Sequence, residues 1–534
     1  MQPPIIQPMP RSPSPIPPVP LTDIALLHVE HSRSPPPYDQ PSSSRPSISD
    51  DRLVPGKSLD IPWRALMPIQ LYRIADASAY CVIFPFVTAL VTSFNVPQDK
   101  IGLYSGLAEG SMMMMEAVAA PFWAKAADRY GRRAAMNFGY ASSILPALMF
   151  GFCSGPWQLL FWRTLFGTMN PIGVIGKILA SEICHPGNRA KVFAIFSPGF
   201  ALGAMAGNLI GGEFSHPWHR LPAWLGGATE LYRDWPYALP CVVLAVFGVL
   251  TVVYGFAELQ ETRPPKTHSD LSKSESEKAS SKISYASAMK VPGFMRITVI
   301  FCFFQLSVLS WDGMASVWLY TQLDRGGLAM SVDIIGLLLA FNNFIYIFTS
   351  PYLLPRLQKR YGAVKTLRVC CLIYVLIALM MPLLSFLAGT ARPLMWFMLF
   401  CYQTLRCVAG LAWPLSDMMT TGCFDDYPHL LATGSAVSLI AGAFGRAIGP
   451  GIAGWIYSIS TEYESGTLGR QLPWVTILLI SLPSVVLSQS MPSDAGGKHD
   501  SSGYEAVPMV DSARRDEEES DEETVALRVT GTDV

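Results

Sequence analysis

Twelve apolar stretches separated by short polar connections make up most of the chain between residues 60 and 490. Their limits are 66–93, 101–123, 134–153, 156–180, 191–212, 236–257, 295–319, 331–354, 366–389, 394–421, 432–458 and 472–490. A run of about twenty apolar residues crosses the roughly 30 Å hydrocarbon core of a bilayer as an α-helix. Hydrocarbon offers no water to a peptide group, so each run must satisfy its own N–H and C=O groups as a helix. The pattern predicts an all-α integral membrane protein with twelve transmembrane helices.

A polar segment rich in Ser, Lys and Glu, 258–294, divides the spans six and six. It sets the expected organisation. Residues 59–257 form one six-helix half, 258–294 a cytoplasmic linker, and 295–490 a second half. Residues 1–58 are rich in Pro and Ser and are expected to be a disordered cytoplasmic tail. Residues 491–534 carry the acidic run Asp516 to Glu523 and are expected to be a second such tail. Asp23-x2-Leu26-Leu27 and Tyr504-x2-Val507 have the form of sorting signals, a form short enough to arise by chance.

The halves repeat one another. Arg163-x3-Gly167-x3-Pro171 recurs as Arg406-x3-Gly410-x3-Pro414, and Glu182 then maps onto Asp425. Gly203-x3-Gly207-x4-Gly212 recurs as Gly445-x3-Gly449-x4-Gly454, Arg129-Tyr130-Gly131 as Arg360-Tyr361-Gly362, and Asp76 as Asp312. Four matches in chain order argue for two pseudo-symmetric halves, the architecture an alternating-access carrier needs.

Composition agrees with a membrane protein. Mean hydropathy is +0.31 and only 15% of residues are charged, too few to cover a soluble chain of this length. A net charge of −1 gives no reason to expect nucleic acid as a partner. The ten cysteines fall mostly within apolar runs and read as small core residues. The eight histidines form no ligand cluster; His216 and His219 share a loop but lack a third ligand. No metal or cofactor is expected. There is no P-loop, so ATP is not the expected energy source, and no hydrolase or zincin motif, so no enzyme is expected. With both termini inside, the inner connections hold about 18 Lys or Arg and the outer ones about six, a positive-inside bias.

Charge inside a span costs roughly 2.5–3.5 kcal/mol per residue on insertion scales, and so marks function by default. The proton-coupling candidates are Asp76 in span one, Glu109 and Glu116 on one face of span two, Arg163 in span four, Asp312 in span seven and Arg406 in span ten. Asp417 and Arg446 add to them. Asp76 and Glu116 are expected to be the acids and Arg163 their basic partner in a proton relay; static salt bridges are the alternative. Arg73 is one turn from Asp76 and can reach it. Arg73 and Lys177, near span ends, are expected to snorkel toward water. Tyr72, Tyr80, Phe84, Trp311, Trp318, Phe341 and Trp413 either line a cavity or pack, as do Met112 to Met115.

Between spans two and three lies Asp128-Arg129-Tyr130-Gly131-Arg132-Arg133, with Trp123 before it. This loop resembles the signature of the major facilitator superfamily, with Ala124 where the family usually has glycine. The resemblance implies that the loop gates: it ties span two to the other half, Asp128 faces the positive end of a neighbouring helix, and Arg129 and Arg132 form ion pairs. Span five carries Gly199, Gly203, Gly207, Gly211 and Gly212, which let a second helix approach closely. This series resembles the glycine-rich motif of the drug:proton antiporters, with Asn208 at the usual proline; the second half has Gly449-Pro450. Arg163-x3-Gly167-x2-Asn170, Lys177, Ala180-Ser181-Glu182, Gly326-Gly327-Leu328 and Trp235-Pro236-Tyr237 resemble the fungal and plant branch that includes the zinc-induced facilitator-like carriers.

That resemblance covers about 60–490. It implies proton-coupled efflux of a hydrophobic or amphipathic small molecule, a drug or secondary metabolite, by a monomer in the plasma membrane or the vacuolar membrane. Its partners are the substrate, protons and the lipid bilayer. Two readings stay open beside it: a proton-symporting or facilitative importer of a nutrient, and a non-transporting sensor with the carrier fold. Glu258-Leu259-Gln260-Glu261-Thr262 stands where sugar carriers have their own motif, which favours export.

Overall fold

The computed structural model describes residues 63–491 apart from 184–188, 219–220, 223–228, 263–285, 425–426, 428–429 and 465–466. The chain divides into Met1–Leu59 and Asp60–Val534, and every described residue belongs to the second unit. The two expected tails (Met491 apart), most of the expected linker, His219 and Asp425 lie outside the described residues.

The described residues form helices joined by short turns, with no strand among them. In chain order they are α1a (Trp63–Cys81) and α1b (Val87–Ser93), α2 (Ile101–Tyr130), α3 (Arg132–Met149), α4a (Pro156–Met169) and α4b (Ile172–Ile183), α5 (Arg189–Glu213) and α6 (Ala238–Glu258). The second set is α7 (Phe294–Tyr320), α8 (Val332–Tyr361), α9 (Ala363–Thr390), α10a (Arg392–Gly410) and α10b (Ala412–Gly422), α11 (Leu431–Ser460) and α12 (Leu472–Gln489). Each of the twelve apolar runs holds one of these rods.

Taken singly, seven stretches among the described residues are long and apolar enough to cross a membrane, and six of them belong to the second set. Charged residues or breaks interrupt several of the first five rods. Helix α1 loosens at 82–86, around Pro85. Helix α2 carries Glu109, Glu116, Lys125, Asp128 and Arg129. Helix α4 breaks at Asn170-Pro171 because a proline has no N–H to continue the ladder. The Asn170 side-chain oxygen accepts the Ile172 N–H at 3.0 Å and so caps α4b.

Helices pack here through small residues, since lipid tails are as apolar as leucine and give no hydrophobic drive. Within the first half, Gly203, Gly207 and Gly211 lie against the carbonyls of Ile74, Ser78 and Val82 on α1, and Gly199 lies against Gln70. Ser78 Oγ donates to Gly203 O at 3.0 Å across the same seam. The second half repeats this: Gly442 meets Gln305, and a Cβ on Gly449 would sit 2.9 Å from Leu306 O on α7. The expected close approach along span five is therefore a contact within its own half. Gly212 alone turns the other way, with α8: its Cβ would be 3.0 Å from Gly336 Cα.

A second glycine seam joins the halves. Gly102, Gly106 and Gly110 on α2 face Gly454, Pro450 and Ala447 on α11. Side chains there would collide with backbone: a Cβ on Gly102 would lie 2.7 Å from Gly454 O, and one on Gly110 2.6 Å from Ala447 O. Leu103 N–H donates to Ser458 Oγ at 2.9 Å, and Arg325 to Gln98 Oε1 at 2.6 Å. These contacts cluster toward the end of the bundle where α2 begins.

Candidate transport site

Two layers of charge cross the bundle. The first lies next to the interhalf seam. Glu109 is buried at 3% exposure and accepts the Tyr80 hydroxyl at 3.1 Å. Its other oxygen touches the opposite half, 3.0 Å from where a Cβ on Gly313 would stand, with Pro450 beside it. Arg163 is fully buried next to this acid. Its Nε donates to Ala108 O at 3.3 Å, and its guanidinium lies over Phe150 and Tyr80 at 5.1 and 5.8 Å. Both terminal nitrogens of Arg163 lack a hydrogen-bond partner. Glu109, Arg163 and Gly313 line a small cavity of about 10 Å³ of water-centre volume, room for about one water.

On the other side of Gly313, Asp312 is ion-paired with Arg406. The pseudo-symmetric pair does not form in the first half. Asp76, 6% exposed, instead accepts the Asn170 amide at 2.7 Å. The reason is register. Asp76 lies level with the α4 break, and Arg163 is about two turns nearer the seam, roughly 10 Å at 1.5 Å per residue. Arg163 thus serves Glu109, and the expected Asp76–Glu116–Arg163 constellation is not the one that assembles.

The second layer lies at mid-depth. Glu116 sits at the middle of α2 with its carboxylate against Gly173, in the first turn of α4b, where a helix's partial positive charge favours an anion. Arg73 lies over Phe196 and Phe200 of α5 at 5.6 and 4.9 Å. Its Nε is buried without a hydrogen-bond partner; the guanidinium feels Asp76 and Glu116 electrostatically without closing an ion pair, and it does not snorkel. Lys177 of α4b and Asp417 of α10b are exposed, belong to opposite halves and interact electrostatically. Arg446 of α11 interacts with Arg73, Lys177 and Asp417. Exposed charges that sense one another across the halves line a gap between them. Lys177 faces this gap because α4b runs on to Ile183, beyond the expected end at 180.

The aromatic residues mostly pack. Trp311, Trp318, Tyr402 and Trp474 form one cluster with ring centroids 5.4–6.0 Å apart. Tyr72 is buried and donates to Asn137 at 2.5 Å. His216 contacts the Tyr237 hydroxyl at 3.0 Å.

The loop at 128–133 is tied to its own half. Gly131 has φ +100°, a region L side chains avoid, and a Cβ there would strike the Glu261 carboxylate. Glu261 accepts the Arg132 and Arg133 backbone N–H groups at 2.8 and 3.1 Å, capping α3. Arg132 pairs with Asp128 at 3.1 Å and with Glu182 at 3.2 Å, and Glu182 accepts the Thr262 hydroxyl. Arg133 donates to Phe256 O, and Arg129 lies over Tyr130 at 5.4 Å. The expected ion pair of Arg132 is present. Among the described residues the ion pairs of Arg132 stay within its own half, and Asp128 meets Arg132 instead of a neighbouring helix end. Gly362 repeats the turn with φ +80°, but Lys359 stands where the first half has Asp128.

Sequence reading passed over Gly102, Gly106, Gly110 and Asn170. The three glycines are spaced by four, a signal as plain as that of span five. Asn170 appeared only as part of a motif, and its partner Asp76 lies 94 residues away.

These features define a membrane carrier with a central charged path. The Major Facilitator Superfamily profile matches residues 71–486, and the chain belongs to that family. Similar proteins include the efflux pump azaK of Aspergillus niger, 26% identical over 74% of this chain and 81% of its own length. Protein ZINC INDUCED FACILITATOR-LIKE 1 of Arabidopsis thaliana is 23% identical over 80% of this chain and 91% of its own. Among solved structures, an inward-facing bacterial homolog of the human lysosomal transporter Spinster matches with TM-score 0.59. It is 16% identical, covering 80% of this chain and 97% of that one. A D-xylose-proton symporter has the same fold at TM-score 0.57 and 12% identity, over 80% and 96%.

Proposed function

We propose that this protein exports an amphipathic small molecule by proton-coupled alternating access. It does so from the plasma membrane, with both termini cytoplasmic. The positive-inside bias supports that orientation. The name of the efflux pump relative supports export.

The observation that carries the coupling is Glu109, a carboxylate held in the seam between the halves. Protonated, it is neutral and keeps the hydrogen bond from the Tyr80 hydroxyl. Ionised, it needs a cation, and Arg163 has two unpartnered nitrogens on the same small cavity. Removing a charge from water costs several kcal/mol unless it is well paired. The charge state of Glu109 is therefore linked to whether the seam is closed and dry or open and wet. Asp76 and Glu116 at mid-depth carry the proton onward, and Asp312–Arg406 holds the facing wall.

The test is accumulation of a panel of hydrophobic compounds in a drug-hypersensitive yeast host, with and without a protonophore. Wild type, Glu109→Gln and Asp76→Asn are compared at matched expression. Wild type is expected to lower accumulation, and the protonophore and Glu109→Gln to abolish that effect. Protonophore-sensitive export that survives Glu109→Gln would remove Glu109 as the coupling acid. Higher accumulation in wild type would make the protein an importer.

A further inference from the structure

The mid-depth layer contains three cations, Arg73, Lys177 and Arg446, from α1, α4b and α11, and three acids, Asp76, Glu116 and Asp417. The acids and the cations are not placed alike. Asp76 is held by the Asn170 amide. Glu116 rests against the first turn of α4b. All three acids act on the cations through space and not by contact: Asp76 and Glu116 on Arg73, Glu116 and Asp417 on Lys177, and Asp417 on Arg446.

Among the described residues, the cations have no such anchors. None of the three makes a hydrogen bond or an ion pair, and Nε of Arg73 and of Arg446 is buried without a partner. Arg73 and Arg446 also repel each other across the halves. An unpartnered buried guanidinium costs free energy, and two beside a lysine are tolerated where an anion completes them. Planar guanidinium forks match a carboxylate or phosphate in two-point contact. Phe196 and Phe200, under Arg73, supply an apolar surface for the rest of the molecule.

We infer that the substrate bears a carboxylate, bound in the gap by Arg73, Lys177 and Arg446 together, with its apolar body against the α5 aromatics. The site spans both halves, so bound anion draws α1 and α4b toward α11. This rests on the export reading only in taking the gap as the substrate's path.

The test uses the full chain in lipid nanodiscs at neutral pH, with no gradient, and pyrenebutyrate, its uncharged methyl ester and pyrenebutylamine as fluorescent probes. A charge-assisted hydrogen bond contributes about 1.5–3 kcal/mol, so the acid is expected to bind about tenfold to a hundredfold more tightly than the ester. Arg446→Gln and Lys177→Gln should each remove most of that preference while leaving ester binding unchanged, and Arg446→Lys should keep part of it. Equal binding of acid and ester to wild type, a preference unmoved by the substitutions, or tightest binding of the amine overturns the assignment. Because no gradient is present, the preference can hold even where proton-driven export fails. Protonophore-sensitive export of neutral compounds only would sink the anion site and leave the export reading standing.

Discussion

Asp312 and Arg406 show what a charge does when it finds its partner inside a span, and Asp76 what it does when it does not. The first pair closes on itself. Asp76 takes an amide, which leaves Arg163 to Glu109. Removing one partner of a buried pair leaves an uncompensated charge, at a cost of about 3–5 kcal/mol, whereas removing both is often near neutral. Arg406→Gln is therefore expected to lower the melting temperature of the purified protein clearly, and Asp312→Asn/Arg406→Gln to restore much of the loss. Additive losses in that thermal-shift cycle would mean that the pair contributes no coupling. The charged residues themselves were legible in sequence, because an acid in an apolar run stands out. Which acid meets which base was not, since that depends on helix register between segments up to 94 residues apart.

Among the helices, glycine spacing decides who packs against whom. The series on α5 grips α1 within one half, and the series on α2 grips α11 across the halves. Both series follow the same i, i+4 rule, so the sequence could announce a close approach but not name the partner. Gly106→Ala would place a Cβ on the Pro450 carbonyl. Maleimide labelling of Ser458→Cys, a buried position beside this seam, is expected to rise several-fold when Gly106→Ala is added, above the background of native cysteines. Unchanged labelling would show that the seam tolerates the methyl group. The break at Asn170-Pro171 also acts at this scale: it ends α4a, caps α4b and presents one amide to Asp76.

At the scale of the whole molecule, the contacts between the halves gather around the α2–α11 and α5–α8 seams, and Arg132 of the 128–133 loop keeps its ion pairs, among the described residues, within its own half. That arrangement suits a carrier closed at one end and parted at the other. A disulfide between Leu103→Cys and Ser458→Cys, whose backbone N and Oγ are 2.9 Å apart, is expected to stop transport on oxidation and to release it on reduction. Full transport by the cross-linked protein would mean that this seam does not open during the cycle.

The sequence by itself determined the twelve helices, the internal repeat and the residues that carry charge into the bilayer. Hydrocarbon leaves a buried backbone no choice but helix, and it makes each polar intrusion conspicuous. Only the tertiary structure decided that Glu109 rather than Asp76 touches the other half, that Arg163 belongs to Glu109, and that Arg73, Lys177 and Arg446 converge on one gap without a hydrogen bond to any of the acids there. Those outcomes turn on the relative rotation and register of rods whose lipid-facing sides are nearly interchangeable, so no local pattern fixes them.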